Sequence, residues 1–278
     1  DWFLWRQVVQ GRWTARKQPV PYNYRHHETN WTSTEKEPPS AQRYFEYAGL
    51  EHETVTLTIP FAGREKYLKR MLRWLDRQTW PHDQIRLRLI DASQSWEFNR
   101  RLRKWLVGCN YRDVALIPVA VGVRDLADRE RIGEGDVQLE VNRAATHLYN
   151  LVREHCTTPY TFNIEDDIIP PIDALPRLMD GFDTRTVAVS GVYRSRFSAQ
   201  WHVHRTGMKQ VAQDDCGHGL ETVDSCGMGC VVWRRELIQR SPIVNRKWFD
   251  TFFYANAPGI VKVDWSVRCG HGDMAADD

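Results

Sequence analysis

The chain has 278 residues, of which 42% are hydrophobic and 27% charged. That is enough apolar material for one large domain or two small ones, and it excludes wholesale disorder. Lys and Arg number 38 against 36 Asp and Glu, a formal charge of +2, so no global basic field marks a nucleic-acid binder.

Residues 1–54 form an irregular, Trp-rich N-terminal arm in this reading. Prolines and charges interrupt every apolar pattern there, as in Pro19-Val20-Pro21 and Glu37-Pro38-Pro39. Its aromatics are expected to pack on the main domain, with a short helix over 40–48. Regular structure begins at 55. The β-branched run Val55 to Ile59 reads as a buried strand ending at Pro60. Tyr67, Leu68, Met71, Leu72 and Leu75 fall at helical spacing and predict a helix over 64–79. Residues 86–90 read as a second strand, 97–107 as a helix, and 114–121 as a third strand. A third helix carries Val141, Ala145, Leu148 and Val152. Residues 160–164 form a fourth strand, Leu175 to Phe182 mark a short helix, and 186–192 form a fifth strand.

Strand and helix alternate through this stretch, which predicts an α/β fold with a mostly parallel central sheet and helices on both faces. After 197 the alternation fails, and long loops with a few antiparallel strands over the sheet's edge are expected. No apolar run approaches the ~18 residues of a membrane span, and residues 1–6 lack a signal-peptide layout. Six cysteines without a Cys-x-x-Cys pair read as free thiols of a reducing compartment, with a zinc site among the late Cys and His residues left open. A cytoplasmic protein is the expectation. Asn30-Trp31-Thr32 matches a glycosylation acceptor, a pattern short enough to arise by chance.

Ligands on parallel sheets bind beyond the carboxyl ends of the strands. The polar residues that close the strands are Arg64, Asp91 and the triplet Glu165-Asp166-Asp167. Adjacent carboxylates repel unless a cation intervenes. On an extended segment Glu165 and Asp167 would share a face while Asp166 points away. Oxygen ligands of that kind suit Mg²⁺ or Mn²⁺ with substrate phosphates completing the shell. A solvated acidic turn or a helix N-cap is the other reading of the triplet.

The order of three segments, Thr56 to Arg64, Leu89 to Ser93 and Phe162 to Asp167, resembles the donor half of GT-A-fold nucleotide-sugar glycosyltransferases. Ser225-Cys226-Gly227-Met228-Gly229-Cys230, running into Arg234-Arg235-Glu236, is similar to the Gly-rich loop of the same family's acceptor half. Gly259 to His271 is similar to its closing strands. The likeness covers about 55–271 and is nearest the large inverting group of bacterial and viral enzymes. It implies a domain over 55–278, with a nucleotide-sugar half at 55–196 and an acceptor half at 197–278.

That resemblance implies roles. Asp91 would accept a hydrogen bond from the nucleotide base. Pro60, Phe61 and Arg64 would line the base and phosphate pocket, although Phe61 equally reads as core. Glu165, where the family more often has Asp, would face the ribose or sugar, and Asp166 belongs to the same donor-binding segment. Asp167 and His271 would hold the divalent ion. Asp250 is the best match to the general base that takes the acceptor hydroxyl's proton, with Glu221 and Asp224 as runners-up and a helix cap as its structural alternative. Asp214 and Asp215 read as a solvated loop. The partners implied are a nucleoside-diphosphate sugar and a hydroxyl-bearing acceptor, whether a glycan, a lipid-linked sugar, a protein or a modified base in phage-type DNA. Arg194-Ser195-Arg196 keeps the DNA acceptor open. A nucleotidyltransferase and a non-catalytic carbohydrate- or nucleic-acid-binding module are the alternatives, the latter prompted by 12 Trp.

Overall fold

The computed structural model describes residues 54–119, 136–196, 198–241, 243–245 and 249–274, with backbone alone for 136–141. The N-terminal arm, its expected helix and Asn30 lie outside the described residues. Four parallel strands come first: β1 (Val55–Phe61), β2 (Ile85–Asp91), β3 (Asp113–Pro118) and β4 (Tyr160–Ile164). They alternate with α1 (Glu65–Arg77), α2 (Trp96–Leu106) and α3 (Asp136–His155). The two-residue β5 (Ile168–Ile169), α4 (Ala174–Asp180) and β6 (Thr186–Val192) follow. Each lies within a few residues of its predicted position; β3 stops at Pro118, short of the expected 121.

The large sheet runs β3-β2-β1-β4-β11-β6-β12-β9. Here β9 is Leu220–Val223, β11 Cys230–Arg234 and β12 Ile260–Arg268. Strands β11 and β9 run against their neighbours and the other six run together. The expectation that the later strands sit over the sheet's edge is corrected. Strand β11 lies between β4 and β6, because Val231, Val232 and Trp233 are buried on both faces and need cover on each side. A smaller sheet is built from β7 (Gln200–Arg205), β8 (Lys209–Ala212) and β10 (Ser225–Cys226).

Alternation along the strands sorts side chains into two cores. Leu57, Leu89 and Val232 join Leu68 of α1, Phe98 of α2 and Leu175 of α4 on one face. Ala188, Val231 and Trp233 join Leu148 of α3 on the other, with Leu237 of α5 (Arg235–Arg240) and Phe253 of α6 (Phe249–Ala255). The result is three layers, helices on both faces of one sheet.

Strand order reverses direction at β1, whose chain successors β2 and β4 lie on opposite sides, so a crevice opens at the carboxyl ends of β1 and β4. Proline widens it. The Phe61 carbonyl accepts from Ala92 N on the β2 side (3.0 Å), so the neighbouring Pro60 presents its missing N–H toward β4. Pairing with β2 continues through Phe61↔Asp91, whereas pairing with β4 ends at Thr58↔Asn163.

Candidate active site

The acidic triplet lies on the lip of that crevice, and it is a turn. Ile168 N donates to Glu165 O at 3.0 Å, so the two-residue alternation expected for an extended segment does not hold. Asp166 does not point away. Its carboxylate crosses the crevice to accept from Ala62 N (2.9 Å) and pairs with the Arg64 guanidinium. It therefore fastens the loop after β1 to the loop after β4. Gly63 makes this loop possible: its φ is +89°, and a Cβ there would lie 2.9 Å from Ser93 Cα. Burial works against the Arg64 charge, but Asp166, Asp167 and Glu165 hold its pKa well above the ordinary value.

Asp167 is 1% exposed and sits between two guanidiniums, Arg64 Nη1 at 3.1 Å and Arg196 Nη2 at 3.0 Å. Neither carboxylate oxygen takes a hydrogen bond of good geometry from protein. Close charges without aligned hydrogen bonds leave the lone-pair directions available. Burial alone would raise its pKa; contact with His271 and the charges of Arg64 and Arg196 hold it below the carboxylate range instead.

His271 arrives through a small antiparallel pairing. Strand β13 (Gly270–His271) pairs with β5 in the register His271↔Ile168, and Gly272 N donates to Asp167 O at 2.7 Å. Imidazole Nε2 then stands 3.6 Å from Asp167 Oδ2. The other ring nitrogen, Nδ1, lies 2.6 Å from the Arg194 carbonyl. A carbonyl only accepts, so Nδ1 carries a proton; in the neutral ring Nε2 presents its lone pair toward Asp167, and in the imidazolium it donates there. Two lone-pair bearers facing each other, with the outer imidazole nitrogen tied to a carbonyl, fit a divalent cation. Among the described residues no set of three or more His, Cys, Asp or Glu converges on such a point. Asp167 and His271 leave the rest of a shell to phosphate oxygens and water, as Mg²⁺ and Mn²⁺ commonly have it. The six cysteines are free thiols.

The other expected donor residues are placed differently from one another. Glu165 is half-buried and accepts from Tyr149 Oη at 2.5 Å. Burial and the Asp167 charge raise its pKa, against the Tyr149 bond. Asp91 ends β2 with one oxygen accepting from Ser93 N (3.0 Å) and the other from Asn99 Nδ2 (2.8 Å). It does not cap α2; Ser95 does, accepting from Phe98 N. Phe61 has no exposed surface and packs edge-on against Phe98 at 5.4 Å. Its side chain is in the core, the alternative the sequence offered for it, and Pro60 is buried as well.

Asp250 occupies the first turn of α6, which packs on β10. One oxygen accepts from Thr251 N at 2.8 Å. Burial raises its pKa, offset in part by Thr251 N–H and His204. His204 is held by Ser225 Oγ at 2.9 Å from its Nδ1, and burial lowers its pKa against the charge of Asp250. The runners-up for the base are engaged elsewhere. Glu221 pairs with Arg205 Nε (2.7 Å) and accepts from Trp265 Nε1 (2.6 Å). Asp224 accepts from Met208 N at 3.0 Å in the β7–β8 turn. Asp215 pairs with Arg205 and Asp214 is exposed.

Tyr193 joins the two halves. Its ring meets His271 edge-on at 5.4 Å, its hydroxyl accepts from Gly229 N at 2.8 Å, and it feels the charges of both Glu165 and Asp250. Tyr193, Tyr149 and His204 carry no sequence motif, and spacing alone gives no signal for them; Arg196 stands in the basic stretch Arg194-Ser195-Arg196, read in the sequence toward a DNA acceptor. A buried Thr58–Asn163–Met228 chain (2.9 and 2.6 Å) ties β1 and β4 to the Gly-rich loop.

This sheet order, with an acidic turn at the crevice between β1 and β4, is the GT-A glycosyltransferase fold. Solved structures similar to it include mannosyltransferase PcManGT from Pyrobaculum calidifontis in complex with GDP-Man and Mn²⁺. That likeness has 17% identity and a TM-score of 0.50, over 77% of this chain and 57% of that one. Another is GalNAc-T7 with UDP, GalNAc and Mn²⁺, at 13% identity and TM-score 0.55, over 80% of this chain and 44% of that one. The chain thus spans about half the length of these proteins. No protein-family model and no curated protein matches it. Among the described residues no helix is long and apolar enough to cross a membrane.

Proposed function

We propose that the chain is a metal-dependent, inverting glycosyltransferase, moving a hexosyl or pentosyl unit from a nucleoside-diphosphate sugar to an acceptor hydroxyl. The observation that carries this reading is the approach of His271 Nε2 to Asp167 Oδ2, with Nδ1 tied to a carbonyl, at the crevice between β1 and β4. The structurally similar PcManGT and GalNAc-T7 complexes hold Mn²⁺ with a guanine or uracil nucleotide, which supports the class of donor. In this reading Asp167 and His271 hold Mn²⁺ or Mg²⁺, which supplies positive charge to the diphosphate as leaving group.

The chain's own residues divide the remaining work. Asp91 at the end of β2, with Asn99 of α2 bonded to it, faces the nucleoside. Arg64, fixed by Asp166, adds a cation at the phosphates. Glu165, positioned by Tyr149, faces the ribose or sugar. Asp250 takes the proton of the acceptor hydroxyl as its oxygen bonds to the anomeric carbon and the bond to the diphosphate breaks. A direct displacement of this kind inverts the anomeric centre. A carboxyl whose pKa burial raises is better matched to a base working near neutrality than an exposed one. The test is release of nucleoside diphosphate from nucleotide-sugars with added Mn²⁺. Chelation by EDTA should stop it; turnover at the full rate in EDTA would remove the ion from the mechanism.

A further inference from the structure

Asp167 is the most buried acid of the site, and Arg196 lies against the same oxygen, Oδ2, that faces His271. Arg196 Nη2 stands 3.0 Å from Oδ2 while His271 Nε2 stands 3.6 Å from it. A guanidinium and a divalent cation cannot share that place, since like charges at such range repel strongly in a buried setting. We propose that Arg196 is a diphosphate-binding residue of the donor site that pairs with Asp167 in the free chain. It is exchanged for the cation when the nucleotide arrives. This rests on the metal reading of Asp167 and His271 given above.

The two arginines are not equivalent. Arg64 is 14% exposed and is fastened by Asp166 as well as by Asp167. Arg196 is 27% exposed. Its stem lies over Gly272, where a Cβ would come within 3.1 Å of Arg196 Cδ. It follows β6, whose carboxyl end opens on the same side as those of β1 and β4. Arg196 therefore has room to turn away from the carboxylate toward a phosphate, which a planar guanidinium grips through two parallel hydrogen bonds.

Charge balance gives the exchange its direction. With both arginines in place the Asp166 and Asp167 charges are balanced, and a cation arriving alone adds two positive charges to that site. A diphosphate brings negative charge that accepts Arg196 and frees Oδ2 for the ion. Cation and nucleoside diphosphate should therefore each strengthen binding of the other, as linkage requires. Arg196 would be the residue that couples them.

The experiment is titration of Mn²⁺, followed by electron paramagnetic resonance, into the parent chain and Arg196→Gln, with and without UDP or GDP. Calorimetry reads the nucleotide in parallel. Without nucleotide, Arg196→Gln should bind Mn²⁺ about tenfold more tightly than the parent, as loss of one competing ion pair implies. In saturating Mn²⁺ it should bind the nucleoside diphosphate about tenfold or more weakly, as loss of a charge-assisted hydrogen bond implies. Arg196→Lys keeps the charge without the fork, so its affinity for Mn²⁺ alone should stay near parental while nucleotide affinity falls. This variant carries the test if the glutamine variant fails to fold. Unchanged Mn²⁺ affinity in Arg196→Gln, or parental nucleotide affinity in Arg196→Lys, overturns the role of Arg196 while a parent that takes Mn²⁺ with nucleotide keeps the metal reading. If the parent takes no Mn²⁺ even with nucleotide, the metal reading fails and this inference falls with it.

Discussion

Asp250 and Glu221 are both carboxylates of the acceptor half, and their surroundings assign them opposite work. Asp250 lies beside a half-buried, Ser225-held imidazole. Replacing it by Asn keeps size and capping ability but removes the proton acceptor, so kcat should fall by about 10²–10⁴-fold. The donor dissociation constant should barely move. The parent's rate should decline as pH falls through the raised pKa of Asp250, and the variant should lose that limb. The sign for stability is opposite. A carboxyl whose pKa is higher folded than unfolded binds more protons in the native state, so its contribution to stability is lost as pH rises through that window. Asp250→Asn should be no less stable than the parent near neutrality in a urea titration. A variant that transfers at the parental rate would return Asp250 to the role of a helix-terminal residue. For Glu221→Ala the expectation reverses, with transfer largely kept and stability lowered by about 1–3 kcal/mol, because Trp265 N–H and Arg205 lose their acceptor. Equilibrium unfolding read beside kcat separates the two.

At the scale of elements, the Gly-rich loop 227–229 holds the two halves of the site together. A Cβ at Gly227 would lie 2.0 Å from Tyr193 Oη and 2.6 Å from its Cζ. Gly227→Ala should push Tyr193 off the Gly229 N–H and away from His271. Overpacking of this kind costs about 1–3 kcal/mol, and the mispositioned His271 should weaken Mn²⁺ binding as well as stability. Parental Mn²⁺ affinity in a folded Gly227→Ala chain would show that Tyr193 does not position the imidazole. The Gly-Met-Gly spacing was visible in the chain, but its target was not, since Tyr193 sits in no motif. The acidic triplet was equally visible, yet it forms a turn and not the extended segment its position after a strand suggests. Period-two alternation governs strands, and the chain turns at Glu165, so Asp166 becomes a crevice fastener. Asn99, which accompanies Asp91, lies on the helix after it and marks itself only once that helix folds back.

For the whole molecule, the parallel half was legible because β1, β2, β4 and β6 are short runs rich in β-branched and apolar residues, bounded by turn and polar residues and spaced by helical patterns. The place of β11 in the middle of the sheet was not, because insertion between β4 and β6 is a long-range pairing that no local pattern encodes. The same holds for β5 and β13, two-residue strands that carry His271 to Asp167. What the sheet achieves is convergence. The reversal of strand order at β1, the missing N–H of Pro60 and the Asp166 fastening open one crevice, and the last described strands close it with an imidazole.

The central claim is that this crevice turns over a nucleotide-sugar with a cation held by Asp167. A panel of nucleoside-diphosphate sugars incubated with the chain and Mn²⁺, and read by mass spectrometry for nucleoside diphosphate, tests it most directly. At least one donor should be cleaved slowly by water, and Asp167→Asn, folded by circular dichroism, should abolish that cleavage. No cleavage of any donor, or equal cleavage by Asp167→Asn, would contradict the account.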